Sequence, residues 1–182
     1  MSGTPRQAAE GTLATYVGGD PETMEDVRAV LESWTAPGRL TWTGDAGSGA
    51  AARVVSATAG AVALQGIGEL LRLGRDLGLA RAVVLEVLMG GPLGPVVGSR
   101  DRRLREQDPG AAVTPVAENL AEVTAELATA LRHAGASLPA VEGAYLHARL
   151  TVAAGQGGDD LVGLALAREG RSHLDDEDLR PT

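Results

Sequence analysis

The chain has 182 residues and a formal net charge of −8. This length allows one domain, or one domain with a fragment of a second. The negative charge argues against duplex nucleic acid or an anionic membrane as the partner, since binding to either needs a basic face. There is no cysteine, which excludes disulfide and thiolate chemistry and fits a reducing cytoplasm. All 16 basic residues are arginine, and the lack of lysine excludes Schiff-base catalysis.

The first 44 residues predict two strands around one helix. Residues 12–17 have the composition of a strand, and residues 40–43 predict a second, shorter one. Between them, Asp20 followed by Pro21 is typical of a helix N-cap and first helical position. A β-α-β piece of this size cannot cover both faces of a sheet by itself. We therefore expect it to be the edge of something larger.

No credible strand follows residue 46, and the rest of the chain is predicted to be helical. Residues 50–77 predict one helix of about 28 residues, or about 42 Å at 1.5 Å per residue. Its apolar and small residues lie on every side, which is typical of a helix that is buried all round. Because a chain of this size cannot cover such a helix alone, we expect a homodimer. Residues 54–68, the longest apolar stretch, are too short to span a bilayer.

Five further helices are predicted. They cover residues 80–89, 100–105, 114–135, 138–154 and 160–169. The arginine-rich residues 100–105 are interpreted as a short, solvated helix, and the acidic residues 173–182 as a disordered tail. The fold class is therefore mainly α, with an all-helical dimerisation domain around one long buried helix and a short β-α-β piece before it.

One glycine motif invites a nucleotide-binding interpretation. Residues 47–52 match the Gly-x-Gly-x-x-Ala form of a dinucleotide-binding turn. Such a turn needs another strand soon after its helix, with a ribose-binding residue about 20 residues further on. Here helix follows helix, so we interpret the two glycines as a hinge between a strand and a tightly packed helix. The histidines His133, His147 and His173 lack the spacing of metal ligands, and no metal site is predicted.

Glycine-containing segments occur in a characteristic order along the chain. They are Ser2-Gly3, Glu10-Gly11-Thr12-Leu13, Val17-Gly18-Gly19-Asp20, Gly44-x-x-Gly47-x-Gly49-x-x-x-Arg53, Gly91-Pro92-Leu93-Gly94, Gly135-x-x-Leu138-Pro139 and Gly155-Gln156-Gly157-Gly158-Asp159-Asp160. Over residues 2–172, their order and spacing resemble the β-hydroxyacid dehydrogenase family. That family includes 3-hydroxyisobutyrate dehydrogenase and tartronate semialdehyde reductase.

The resemblance implies two domains, an N-terminal Rossmann domain that binds NAD or NADP and a C-terminal helical domain that forms the dimer. The helical domain would be similar to the C-terminal part of 6-phosphogluconate dehydrogenases. Residues 1–44 would be the end of the Rossmann domain, residues 45–172 the helical substrate and dimerisation domain, and residues 173–182 the acidic tail. The glycine-rich loop for the pyrophosphate would then lie upstream of Met1.

The resemblance also implies a catalytic site. The family's substrate-binding Ser-Gly-Gly corresponds to Ser2-Gly3-Thr4, so Ser2 takes the position of the serine. The family's general acid/base lysine corresponds to Arg53. Arginine keeps the positive charge but cannot release a proton near neutral pH, because its pKa is above about 12.

Three further positions depart from the family's pattern. Ser56 and Ala57 stand where the family has two asparagines, and Glu122 stands where it has a second lysine near the cofactor. A GC-rich genome explains arginine in place of lysine at one position, but it does not explain glutamate in place of lysine.

Three hypotheses follow from the sequence. The first is a truncated or degenerate NAD(P)-dependent oxidoreductase of the β-hydroxyacid dehydrogenase type, with weak activity or none as an isolated chain. The second is a non-enzymatic dimerisation module that pairs with itself or with a full-length homologue. The third is a pocket recruited to another reduction, in which Arg53 holds the carboxylate of a small substrate.

Overall fold

The computed structural model describes residues 1–3, 5–107 and 120–166, and these residues are mainly helical, as predicted. The elements in chain order are α1 (Pro5–Ala9), β1 (Leu13–Gly18), α2 (Pro21–Glu32), β2 (Thr35–Gly44), α3 (Ser48–Asp76), α4 (Arg81–Met89), α5 (Gly94–Glu106), α6 (Leu120–His133), α7 (Pro139–Thr151) and α8 (Gly163–Leu166). A π-helical turn, Val152–Gln156, follows α7.

The two strands are parallel neighbours and α2 connects them, which confirms the predicted β-α-β arrangement. The side chain of Asp20 caps α2 by accepting a hydrogen bond from the Thr23 N–H at 3.0 Å. The second strand begins five residues earlier than the predicted residue 40, because the buried Thr35 hydroxyl pairs with Thr15 at 2.7 Å. An irregular register between Leu13 and Thr15 takes up the extra residues of β2, which the sequence pattern does not reveal.

The long helix α3 has nearly the predicted bounds, but a single chain buries it on one side only. Its buried residues all lie in the second half and are Ala61, Leu64, Ile67, Gly68, Leu71 and Gly74. Val55 is 69% exposed and Leu73 is 52% exposed. The surface of α3 is therefore apolar on every side, while the rest of the described chain covers only one side of it.

The hydrophobic core forms where α4, α6, α7 and α8 pack on the second half of α3. Two glycines of α3 allow the close approach of neighbouring elements. A Cβ atom on Gly68 would lie 2.9 Å from the backbone of Ala165, and one on Gly74 would collide with the side chain of Val84. Small residues on α3 therefore set the distance to α8 and α4.

The structure corrects the prediction for the arginine-rich segment. Residues 100–105 are not a short solvated helix but the second half of α5, which starts at Gly94. Val97 and Leu104 are fully buried and hold one face of α5 against the core. The sequence did not indicate this buried face of α5, because only two apolar residues form it and arginines surround them.

Two other sequence-based bounds change towards the end of the chain. The helix predicted for residues 138–154 is α-helical as far as Thr151 and continues as the π-helical turn, which is interrupted at Gly155, whose φ of 89° is left-handed. The last helix begins at Gly163 rather than at residue 160. Residues 114–119 of the helix predicted for 114–135, residues 167–169 of the last predicted helix and the predicted tail at 173–182 lie outside the described residues.

The apolar length of α3 was also underestimated from residues 54–68. The helix has 29 residues and contains an 18-residue window with a mean hydropathy of 1.4, so by length and composition it could cross a membrane. Core helices of globular proteins have the same composition, and six residues of α3 are buried in this fold.

Candidate functional site

A cavity of about 860 Å³ lies between the first half of α3, the start of the chain, the two strands and α5. This volume falls within the range of about 300–1,000 Å³ that is typical of small-molecule sites. Four of the residues singled out in the sequence line it together, namely Ser2, Arg53, Ser56 and Ala57. The structure therefore gathers residues that are more than fifty positions apart in the sequence.

Ser2 is positioned by a short antiparallel bridge to β1. Its N–H donates to the carbonyl of Ala14 at 2.8 Å, and the Ala14 N–H donates to the Ser2 carbonyl at 2.9 Å. The Ser56 hydroxyl on α3 then donates to the Ser2 hydroxyl at 3.2 Å. The two hydroxyls form a polar pair on the cavity wall that can accept or donate a hydrogen bond.

Arg53 is held by a carboxylate that the sequence did not indicate. Its Nε and Nη2 donate to Oε1 of Glu126 at 3.1 and 2.7 Å, and its Nη1 donates to the Met1 carbonyl at 3.2 Å. Three of the five guanidinium N–H groups are thus engaged. The side chains of Arg53 and Glu126 are 31% and 19% exposed, so the pair is partly desolvated and its net charge is zero.

Glu126 lies 73 residues after Arg53, one helical turn beyond Glu122 on α6. No local pattern marks it, because only the packing of α6 on α3 brings it to Arg53. Its Oε2 atom is buried and has no hydrogen-bond partner among the described residues. Beside this pair, burial and then the charge of Arg53 lower the pKa of the Met1 amino group.

Glu122 is not brought to the cavity. Its side chain is exposed on α6, whereas its neighbour Val123 is buried and lines the cavity wall. The histidines are also elsewhere: His133 is exposed at the end of α6, His147 lies on α7, and His173 is outside the described residues. The described residues contain no cluster of three histidine, aspartate or glutamate side chains that could hold a metal ion.

The turn at the start of α3 does not fit a pyrophosphate. The Ser48 N–H donates to the Asp45 carbonyl at 3.0 Å, and the Ser48 hydroxyl is 2.8 Å from that of Thr43. A Cβ atom on Gly49 would lie 2.9 Å from the Tyr16 carbonyl, so β1 covers this turn directly. Gly47 has a φ of 95°, which favours glycine. The geometry supports the interpretation of a hinge.

Helix α5 forms an arginine-rich side of the cavity. Arg100, Arg102 and Arg103 line it, and Arg103 pairs with Asp160 at 2.7 Å. Arg105 lies outside the wall and binds Asp101 at 2.8 Å and Glu86 at 2.6 Å. The hydrogen bonds that Arg105 donates to these two carboxylates, first to Asp101 and then to Glu86, raise the pKa of Arg105.

Comparison with known proteins identifies relatives over part of the chain. No family model matches it. Over 97 residues it is 34% identical to a probable 3-hydroxyisobutyrate dehydrogenase-like protein of Arabidopsis thaliana, covering 53% of this chain and 30% of that protein. Over 90 residues it is 38% identical to a probable 3-hydroxyisobutyrate dehydrogenase of Mycobacterium tuberculosis, covering 50% and 30%. The matched stretch thus covers about a third of the length of these curated relatives.

Solved structures share the fold over a longer stretch. A 3-hydroxyisobutyrate dehydrogenase of Mycobacterium tuberculosis with L-serine is 26% identical with a TM-score of 0.67, covering 90% of this chain and 57% of that one. Two others share the fold, Psf3 in complex with NADP+ and 2-OPP, at 19% identity and a TM-score of 0.72, and a 3-hydroxyisobutyrate dehydrogenase of Salmonella typhimurium, at 18% and 0.73. Each of these two matches covers 90% of this chain, and it covers 56% of the Psf3 chain and 57% of the Salmonella typhimurium chain. The predicted resemblance is therefore confirmed: this chain is related, over about half its sequence and most of its fold, to the 3-hydroxyisobutyrate dehydrogenases of the β-hydroxyacid dehydrogenase family.

Proposed function

We propose that the chain provides the helical, substrate-binding part of an NAD(P)-dependent oxidoreductase of the β-hydroxyacid dehydrogenase type, with weak activity or none as an isolated chain. The observation that carries this proposal is the convergence of Ser2, Arg53 and Ser56 on one cavity. These are the positions at which the family places its substrate serine, its acid/base lysine and an asparagine. A retained pocket with altered residues is what a degenerate relative would have.

We expect weak activity because the residue in the position of the family's acid/base cannot transfer a proton. Oxidation of a β-hydroxyacid needs a base that takes the hydroxyl proton, and the reverse reduction needs an acid that returns it. An arginine side chain such as that of Arg53 cannot exchange a proton near neutral pH, and here it is held in an ion pair with Glu126. Loss of a positioned acid/base typically costs about 10²- to 10⁴-fold in rate.

The pocket can still bind an anion. Two N–H groups of Arg53 remain after its three hydrogen bonds to Glu126 and Met1. Together with the hydroxyls of Ser2 and Ser56, they suit the carboxylate of a small hydroxy acid. A carboxylate bound there would be oriented by Arg53 but would lack a proton donor.

The cofactor is proposed to be NAD or NADP, held by residues other than the turn at the start of α3. That turn is packed against β1 and has no room for a pyrophosphate. The isolated chain should therefore bind NAD(P)H no better than about millimolar, because an open glycine-rich loop at a helix N-terminus normally holds the phosphates. Calorimetric titration measures this directly, and a low-micromolar affinity would contradict the proposal.

Turnover is tested by fusing the chain to the nucleotide-binding domain of its Mycobacterium tuberculosis relative. The readout is NAD(P)H oxidation with a β-semialdehyde acid. The triple change Arg53→Lys, Ser56→Asn and Ala57→Asn should raise the rate at least about tenfold over the parent fusion, by restoring acid/base catalysis. Arg132→Lys, at an exposed site on α6, is the matched control and should leave the rate unchanged. If the parent fusion is as fast as the triple variant, Arg53 is not where activity is lost.

A homodimer is also proposed, with the uncovered side of α3 as its interface. Leu73 is 52% exposed on α3, and Val87 on α4 is 66% exposed. Exposed large apolar side chains are typical of protein interfaces where they form a patch. Light scattering should show a dimer at micromolar concentration, and Leu73→Glu with Val87→Glu should yield monomers. A stable monomer of the unchanged chain would contradict the proposal.

The non-enzymatic dimerisation module remains the alternative function. A coding sequence for a glycine-rich β-α-β unit directly upstream of Met1 would favour the oxidoreductase, and its absence would favour the module. The cytoplasm is the proposed compartment, since a chain without cysteine needs no oxidising environment.

A further inference from the structure

In the proposed function, position 53 offers the bound acid no proton donor. Tyrosine, histidine, aspartate and glutamate are the side chains of this chain that commonly exchange a proton with a substrate, since it has no lysine or cysteine. Of the described residues that line the cavity, three belong to these types, namely Tyr16, Asp101 and Asp160. Arg105 binds Asp101 at 2.8 Å, and Asp160 is paired at 2.7 Å with an arginine of α5. An ionised carboxylate only accepts hydrogen bonds, so Tyr16 is the candidate donor on this wall.

The backbone of β1 places Tyr16 on the same face as the substrate-binding serine position. Side chains two positions apart in a strand lie on one face, and both Ala14 and Tyr16 line the cavity. Ser2 lies directly opposite Ala14 in an antiparallel bridge, which puts its side chain on this face as well. Diagonal neighbours in such a pair are about 7–8 Å apart, within reach of an aromatic side chain. A short acid with its carboxylate at Ser2 therefore has its next oxygen within reach of Tyr16.

The hydroxyl of Tyr16 is available to a ligand. The residue is partly buried, and its hydroxyl makes no hydrogen bond with any residue that the structure describes. The serine hydroxyls of the wall are engaged: Ser56 donates to Ser2 at 3.2 Å, and Ser99 donates to the Val96 carbonyl at 2.8 Å. A phenol also gives up its proton more readily than an aliphatic hydroxyl, and tyrosine is an established type of general acid.

We infer that the Tyr16 hydroxyl binds the β-oxygen of the substrate and is the proton donor for the weak reaction of this site. The inference rests on the proposed function, in which the carboxylate lies against Ser2, Ser56 and Arg53. In the reduction, the carbonyl carbon accepts a hydride from reduced nicotinamide, and the π electron pair of the C=O bond moves to the oxygen. The O–H bond of Tyr16 breaks as its proton passes to that oxygen, and the phenolate regains a proton from water.

The contact is tested on the full chain, without nucleotide, by NMR titration with 3-hydroxypropionate and propionate. These probes differ only in the β-hydroxyl. The unchanged chain should bind 3-hydroxypropionate about fivefold more tightly, which corresponds to one hydrogen bond of about 1 kcal/mol. Tyr16→Phe keeps the ring but removes the hydroxyl, so it should bind both probes as the unchanged chain binds propionate.

The matched control is Tyr145→Phe, at the other tyrosine of the chain, which lies on α7 outside the cavity wall. It should keep the preference for 3-hydroxypropionate. Circular dichroism of both variants checks that the helices are intact. Equal affinity of the unchanged chain for the two probes, no binding of 3-hydroxypropionate, or a preference that survives Tyr16→Phe would overturn the inference.

Proton transfer is tested in the fusion described above. Tyr16→Phe should lower the rate at least about tenfold, because a positioned acid contributes about 10²- to 10⁴-fold, and Tyr145→Phe should leave it unchanged. In the triple-variant background the loss should be much smaller, since Arg53→Lys supplies another proton donor. A parent fusion without turnover, no loss in Tyr16→Phe, or equal losses in the two backgrounds would overturn the role of Tyr16 as the donor.

These outcomes are separate from those that test the oxidoreductase. The titration uses neither nucleotide nor turnover, so its failure removes Tyr16 from the site and leaves the proposed reaction standing. Conversely, a parent fusion as fast as the triple variant but slowed by Tyr16→Phe would support the role of Tyr16 and contradict the loss of activity at Arg53.

Discussion

The two halves of α3 have similar composition but different surroundings. In residues 48–60 no side chain is buried, and Arg53, Ser56 and Ala57 line the cavity. In residues 61–76 six residues are buried, including Leu64 and Ile67 with no exposed surface. One continuous helix therefore supplies both the candidate site and the centre of the core. Its rigid backbone fixes the position of the site relative to the packed helices.

The comparison shows that apolar composition alone does not decide burial. Val55 and Leu64 lie nine positions apart on the same helix, and both have branched aliphatic side chains. Yet Val55 is 69% exposed, whereas Leu64 has no exposed surface. The buried side chains of the second half belong to the core cluster, which also contains residues of α4, α7 and α8. Substitutions of similar chemistry in the two halves should therefore have different effects on stability.

The largest expected effect is that of Leu64→Ala. Removing a fully buried leucine leaves a cavity in the core and should lower the free energy of unfolding by about 2–5 kcal/mol. Val55→Ala in the first half is the control. Because Val55 is exposed, its substitution should change the free energy of unfolding by less than about 0.5 kcal/mol. Urea unfolding measures both. Equal losses at the two positions would show that the halves of α3 do not differ as described.

The next effect concerns the glycines of the second half. Gly68→Ala places a Cβ atom 2.9 Å from the Ala165 backbone, and we expect a loss of about 1–3 kcal/mol from overpacking. Gly66→Ala meets no atom within 4 Å and should stabilise the helix by about 0.5–1 kcal/mol. Thermal unfolding of the pair should give melting temperatures that shift in opposite directions. A stabilising Gly68→Ala would contradict the close packing of α8 on α3.

The smallest effect on stability is expected in the first half, at the Arg53–Glu126 pair. Glu126→Gln should cost about 1 kcal/mol, the upper end for partly exposed ion pairs. It should also raise the affinity for glycerate several-fold, because Arg53 is no longer neutralised. Glu122→Gln on the same helix removes the same charge away from the cavity and serves as the control. Unchanged glycerate affinity in Glu126→Gln would mean that Arg53 does not bind the anion.

Much of the fold could be predicted from the sequence because its signals are local. The bounds of α3 were predicted to within two residues, since a long run of small and apolar residues between glycines specifies a helix without further context. The start of α2 follows from Asp20 and Pro21 for the same reason. The resemblance, carried by the order of glycine segments, placed Ser2, Arg53, Ser56 and Ala57 in one site, and the structure brings these four together.

Only the tertiary structure could decide the features that depend on distant contacts. Glu126 meets Arg53 across 73 positions, the burial of Leu104 depends on the packing of α5, and Glu122 turns away from the cavity because Val123 takes the inward position. Helical periodicity specifies which residues share a face, but not which element that face will meet. The sequence by itself determined the helices and the residues available to the site. The packing of α5 and α6 on α3 decided which charges those residues encounter.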